Sequence, residues 1–222
     1  MRRPSAKRCK VRALVAACWS GLAALGVVGV ARADAPVAAT THWTADAAHS
    51  QLTFTAVQAG ARFDGRFATF DPQIDFDAAN LASSRFVVTV TTASADTRDK
   101  ERDETLRGKD FFDVSRFPQA RFATTGFTAA AKGRFEAQGK LTIRDVTRPV
   151  RLPFTFVVAA DGRSARLVGS TTVERLDFGV GQGEWNDTTW VGNAVEIRFD
   201  LALIRNAAAT PIAGTSPTAA VR

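Results

Sequence analysis

Val150-Arg151-Leu152-Pro153-Phe154-Thr155-Phe156-Val157-Val158 is the stretch that decides the fold. Val150, Leu152, Phe154, Phe156 and Val158 recur at every second position, which places them on one face of an extended chain. The same period spreads outward on both sides. Leu52, Phe54 and Ala56 alternate with Thr53, Thr55 and Val57, and Phe63 and Phe67 flank a second short run. Phe86, Val88 and Val90 follow, then Ala120, Phe122 and Thr124, then residues 135–143 with Glu136, Gln138, Lys140 and Thr142 on one face. Leu167 to Val173 and the series Val195, Ile197, Phe199, Leu201, Leu203 complete a set of about eight strands. Asp71-Pro72, Lys132-Gly133, the stretch Asp145 to Pro149, and Asp161-Gly162 stand between runs and carry turn chemistry. Regular antiparallel strands at this spacing predict an all-β fold, a sandwich or a closed barrel.

One segment breaks the strand rhythm. Residues 98–107 (RDKERDETLR) are good helix formers, with Asp96 or Thr97 as cap, Asp99 in the first turn and Gly108 at the end. Lys100 with Glu104 and Asp103 with Arg107 are spaced as i,i+4 ion pairs. The prediction is one short surface helix across one end of the β structure. Residues 206–222 are Ala, Thr and Pro with one charge and read as a disordered tail.

The formal charge of +7 is not a nucleic-acid signal. Seven of the 29 basic residues lie within 1–33, where there is no acid, leaving 22 basic against 22 acidic residues in the remainder. A neutral remainder lacks the basic face that phosphate binding requires. The first 33 residues instead read as an export signal. Basic residues 1–12 precede the apolar run 13–30, and Ala31-Arg32-Ala33 is a small-x-small cleavage site. A membrane anchor is the competing reading, but five Ala and three Gly weaken the run. A lipid-modified Cys18 would leave only five apolar residues before it, too short for a signal. The expectation is cleavage after Ala33, a periplasmic location, a linker over 34–42 and one domain over 43–205.

Both cysteines, Cys9 and Cys18, fall inside that signal, and His42 and His49 are the chain's two histidines. No disulfide, metal or other cofactor is therefore expected.

The ordered motifs resemble those of the YceI-like family. They are Ala48-His49-Ser50 leading to Phe54, Arg102-Asp103-Glu104-Thr105-Leu106 running into Asp110 to Val114, and Arg116-Phe117-Pro118 leading to Phe122. Gly139 to Ile143, Thr147 to Val150, and Arg175-Leu176-Asp177-Phe178-Gly179 continue the series. The resemblance covers about residues 43–203. It implies an antiparallel eight-stranded lipocalin-like barrel, exported, that binds a polyisoprenoid or quinone-like lipid in an apolar pore. Thr105 stands where the family often has His. The hairpin segment 58–65 looks like a sub-group associated with b-type cytochromes of the inner membrane, which makes such a cytochrome a candidate partner. A homodimer is an option that the sequence leaves open.

Sixteen Phe, four Trp and no Tyr supply apolar area without a hydroxyl that needs a partner. These rings either fill the barrel or line a pore. With the resemblance in view, the pore-lining set is Phe54, Phe67, Val88, Phe122, Leu141, Phe154 and Phe156, with Trp190 as a gate beside Trp185. Three other groups of residues carry a sharper and a blander reading. Asp99 and Asp103 could split their pKa values for acid-base work, or simply belong to a solvated helix face. Arg98 and Arg102 could meet a lipid phosphate at a pore mouth. His49 beside Ser50 suggests a hydrolase pair, but neighbours in a strand point to opposite faces. The expectation is a binding protein and not an enzyme, the alternatives being a cytochrome accessory or a hydrolase-like activity on an amphipathic substrate.

Overall fold

The computed structural model describes residues 41–131 and 133–206. The expected signal over 1–33, the linker up to residue 40 and the tail beyond Asn206 lie outside the described residues.

Eleven strand segments make one antiparallel sheet. They are β1 (His42–Ala45), β2 (Gln51–Gln58), β3 (Ala61–Phe67), β4 (Phe70–Asp75), β5 (Arg85–Thr91), β6 (Ala95–Asp96), β7 (Gln119–Ala131), β8 (Arg134–Ile143), β9 (Val146–Val158), β10 (Ser164–Glu174) and β11 (Ala194–Arg205). Three consecutive couples, β1/β2, β3/β4 and β5/β6, are long strands each broken by a few residues. Counted as staves, there are eight, and each pairs with the next in sequence. The last returns to the first, with Trp43 opposite Arg205 and Phe54 opposite Ile197. The sheet is therefore a closed eight-stranded meander, in which each stave pairs with a neighbour on either side along at least part of its length.

The breaks have local causes. Between β1 and β2 a 3-10 turn, Ala47–His49, is capped by the Asp46 carboxylate, which accepts from the Ala48 N–H at 3.0 Å. Between β5 and β6 a second such turn, Thr92–Ser94, intervenes. Asp71-Pro72, expected as a turn, lies inside β4, where Pro72 faces Val88 of β5. β1 stops at Ala45, opposite Gln73 only through Thr44, so β4 lacks a paired neighbour on its other side at Pro72. A residue without an N–H fits there. The expected turn over residues 145–149 is likewise shorter. Ile143 pairs with Val146 across Arg144-Asp145 alone, and Pro149 sits within β9 opposite Lys140. β9 meets β10 only from Phe154 to Val158, so Pro149 and Pro153 occupy a stretch with one unpaired edge.

The helix α1 spans Lys100–Arg107, starting two residues later than the composition suggested. Arg98 takes φ +60°, which no helix accepts, and Asp99 becomes the cap, accepting from the Arg102 N–H at 3.1 Å. The Lys100–Glu104 pair forms at 3.9 Å. Asp103 and Arg107 do not pair. Asp103 is buried and accepts from both the N–H and the hydroxyl of Thr97 at 2.8 Å, while Arg107 donates to the carbonyls of Ala93 and Ala95.

The interior falls into two clusters. At one end Trp43, Ile74, Phe76, Phe86, Phe135, Phe154, Phe156 and Leu203 pack together. At the end carrying α1, Phe54, Ala95, Leu106, Phe111, Val173, Phe178 and Val180 form the second.

Candidate ligand cavity

Period two sends alternate residues of every stave into the barrel, yet those residues do not share one fate. Phe76, Phe86 and Phe154 are 1–3% exposed. Phe76 alone has five aromatic neighbours, Phe86, Phe127, Phe135, Phe154 and Phe156, with ring centroids 4.6–5.8 Å away. That half is filled by its own side chains. Val88, Phe122, Leu141, Val150 and Leu152 also point inward, but they are only half-buried. An inward residue with accessible surface borders empty space. The space is a cavity of about 210 Å³, many times the volume that holds one water.

The cavity wall is drawn from all around the barrel: Phe54 and Ala56 of β2, Phe67 of β3, Val88 of β5, Phe122 of β7, Leu141 of β8, Val150 and Leu152 of β9, Val173 of β10 and Ile197 of β11. Leu106 of α1 with Phe111 and Phe112 covers it at one end, and Ile74, Phe86 and Leu167 form the floor against the packed half. Of the residues expected to line a pore, Phe54, Phe67, Val88, Phe122 and Leu141 are brought together here. Phe154 and Phe156 are not. They share the inward face of β9 with Val150 and Leu152, but two residues further along they enter the aromatic cluster, where Phe76 and Phe127 occupy the room. Trp190 is half-exposed and absent from the wall, whereas Trp185 packs edge-on against Phe111 at 5.4 Å.

Two arginines hold the covered end together. Arg175, 5% exposed, directs all five of its N–H bonds at backbone carbonyls. Nε donates to Gly192 at 3.0 Å, Nη1 to Val180 and Gly181 at 2.9 and 3.2 Å, and Nη2 to Trp185 and Val191 at 2.6 and 2.8 Å. Burial pushes its pKa below the ordinary arginine value. Arg144, in the β8–β9 turn at φ +56°, donates through Nη1 to the carbonyls of Lys109, Phe111 and Gly179 at 2.6–3.1 Å. The segments 108–113 and 176–192 are thereby tied to each other and to the barrel. The sequence offered only an indirect sign of this, the run Arg175 to Gly183 with three glycines near an arginine.

The residues weighed for catalysis have other employment. Asp99 caps α1 and pairs with Arg102, and Asp103 serves Thr97. His49 meets Asp46 at 2.8 Å, while the Ser50 hydroxyl exchanges bonds with Ala202.

The sequence profile of the YceI-like domain matches residues 43–203. The chain belongs to the YceI-like family. Among its relatives, a UPF0312 protein of Vibrio cholerae is 33% identical over 138 residues, 60% of this chain and 73% of that protein. A UPF0312 protein of Vibrio parahaemolyticus is 35% identical over the same length. Burkholderia cenocepacia BcnA superposes on this YceI-like barrel with a TM-score of 0.68 and 34% identity, covering 71% of this chain and 98% of BcnA. A polyisoprenoid binding domain from Saccharophagus degradans shares the fold at TM-score 0.57 and 12% identity, over 74% of this chain and 98% of that one.

Proposed function

We propose that this protein is exported to the periplasm, with cleavage after Ala33, and carries a polyisoprenoid or quinone-like lipid in the barrel. The observation that carries the reading is the half-filled interior: an apolar cavity whose inward side chains keep accessible surface while the other half is solid. The kinship with a polyisoprenoid binding domain supports the ligand class. Each CH2 moved from water into such a wall contributes about 0.8 kcal/mol before ordering costs are subtracted. Binding, and not turnover, is what a wall without free acid, base or nucleophile supports. A b-type cytochrome of the inner membrane, which this protein would serve as an accessory, is the partner to test by co-purification.

The deciding experiment is native mass spectrometry of the protein taken from its own periplasm, with titration by a prenyl quinone on wild type and Val88→Asp. A lipid adduct with saturable binding, lost in Val88→Asp, is the expected result, since an unpaired carboxylate in the wall is costly. No adduct and no saturable binding would overturn the reading. Retention of residues 1–33 in the membrane fraction would overturn the export part.

A further inference from the structure

Next to the cavity, α1, the β2–β3 hairpin and the segment 183–191 enclose a groove of about 250 Å³. Phe63, Leu106, Phe111 and Val191 face both the groove and the cavity, so these side chains alone separate the two. On its outer side the groove is polar, with Gln58, Asp99, Glu101, Arg102 and Thr105. An apolar cavity that borders a polar groove across four side chains fits an amphipathic molecule, with its tail inside and its head at α1 once those side chains turn aside.

The charges there decide what head fits. Arg102 is the one cation among the residues that line the groove. Arg175 has no N–H left after its five carbonyls. Arg144 is held by three carbonyls. Arg102 lies 4.1 Å over the Phe63 ring, with Nε donating to Gln58 Oε1 and Nη2 to Asp99 Oδ2, both at 3.2 Å. Lys100 pairs with Glu104 and does not line the groove. Against the single paired cation Arg102 stand two carboxylates, Asp99 and Glu101, and Glu101 makes no ion pair among the described residues. A phosphate needs free, forked donors. Here it would meet one guanidinium already shared between Gln58 and Asp99, and a net negative charge.

The geometry points to a groove at α1 that seats an uncharged, hydrogen-bond-donating head, a phenol, quinol or alcohol, and rejects a phosphate or diphosphate. Glu101 is the acceptor and therefore the specificity-determining residue. This rests on the lipid reading above and adds the head-group class to it.

The test compares farnesol with farnesyl diphosphate, which share one tail, by calorimetric titration at low ionic strength on wild type, Glu101→Gln and Glu101→Lys. Wild type should bind farnesol at least tenfold more tightly. Glu101→Lys places a free cation in the groove and should raise diphosphate affinity at least tenfold, with an added salt dependence. Glu101→Gln should narrow the preference without reversing it. Position 101 is exposed on a helix surface, and unchanged thermal unfolding confirms that each variant is folded. A wild type that prefers the diphosphate overturns the head-group assignment while leaving lipid binding intact. So does a preference that none of the variants alters. Failure of both ligands to bind saturably overturns the lipid reading itself, and this assignment with it.

Discussion

Along β9, Val150 and Leu152 border a cavity and Phe154 and Phe156 sit in solid packing, although all four point the same way from one strand. The strand is not what differs. What differs is the supply of side chains from elsewhere: Phe76 from beyond β4, Phe127 from β7 and Trp43 from β1 converge on the second pair, while the first pair keeps surface open to the cavity. The two halves are also held in different ways. One is secured by interlocking rings, the other by fewer ring contacts together with arginine-carbonyl bonds around its rim. A binding protein needs both, because a cavity subtracts packing contacts and the deficit must be offset nearby.

The sharpest way to break the comparison is to truncate one phenylalanine in each half. Phe76→Ala should lower unfolding free energy by about 3–5 kcal/mol, the full penalty for an aromatic in a solid core. Phe122→Ala, in the cavity wall, should lose only about 1–2 kcal/mol because its ring already borders empty space. Urea unfolding measures both, and equal losses would mean that the halves do not differ.

The rim is tested next. Arg175→Lys keeps the charge but supplies three donors in place of five, and leaves buried carbonyls without partners. A loss of about 2–4 kcal/mol is expected, with Trp185 fluorescence shifted toward that of an exposed indole. A variant as stable as wild type would show that packing, and not Arg175, closes that end.

Two glycines sharpen the contrast further. A Cβ at Gly169 would lie 2.4 Å from the Pro153 carbonyl, a backbone atom that cannot yield, as well as 2.3 Å from the Phe199 ring. At Gly65 the three atoms nearest a Cβ all belong to the Phe54 ring, the first at 2.2 Å. Phe54 has the cavity to turn into. Gly65→Ala should therefore be the milder change, by roughly 1 kcal/mol or more, while shrinking the cavity and weakening prenyl binding.

The smallest effect is acid sensitivity, and it belongs to neither half. Asp96 is held below the usual carboxylate range by the Arg98 N–H and then by Arg66, Asp187 by the Thr189 hydroxyl and N–H, and Asp161 by the N–H groups of Arg163 and Ser164. Asp46 is lowered by His49 and the Ala48 N–H. Each ionises more readily folded than unfolded. Their contribution is complete above the unfolded value, about pH 4, and declines as pH falls through the folded values. Single Asp→Asn changes at these sites should lower the unfolding midpoint slightly at pH 7 and flatten its decline below about pH 4, so that variant and wild type converge in acid.

Much of this fold was legible because period two is a local signal. The ladders at 52–56, 86–90, 135–143 and 195–203 each announce a strand without reference to any other. β4 escaped because Asp71-Pro72 carries turn chemistry, and only the bend of the neighbouring stave, far from it in sequence, makes room for a proline there. Asp103 looked like a surface partner for Arg107 for a similar reason, since nothing local says that Thr97 will fold over it. The cavity wall was partly legible. Phe122 and Phe154 are equivalent as residues in alternating strands, and which of them meets empty space is set by contacts across the barrel that no single stretch encodes.

Closure of the ring brings the two ends of the barrel's chain side by side. The Asn206 N–H donates to the His42 carbonyl at 3.0 Å, and the Thr44 hydroxyl donates to Asn206 Oδ1 at 2.9 Å. Apart from the pairing of β11 with β1 and β2, every pairing in the meander joins staves that are neighbours in sequence, so hairpins can form early and in any order, while the seam at β11 closes the longest loop among the described residues. The seam is thus the natural last step of folding and the slowest. Joining residues 42 and 206 through a short linker, with new termini at the Asp161-Gly162 turn, would turn that long-range search into a local hairpin. Such a permuted chain should fold faster than the natural one while enclosing the same cavity.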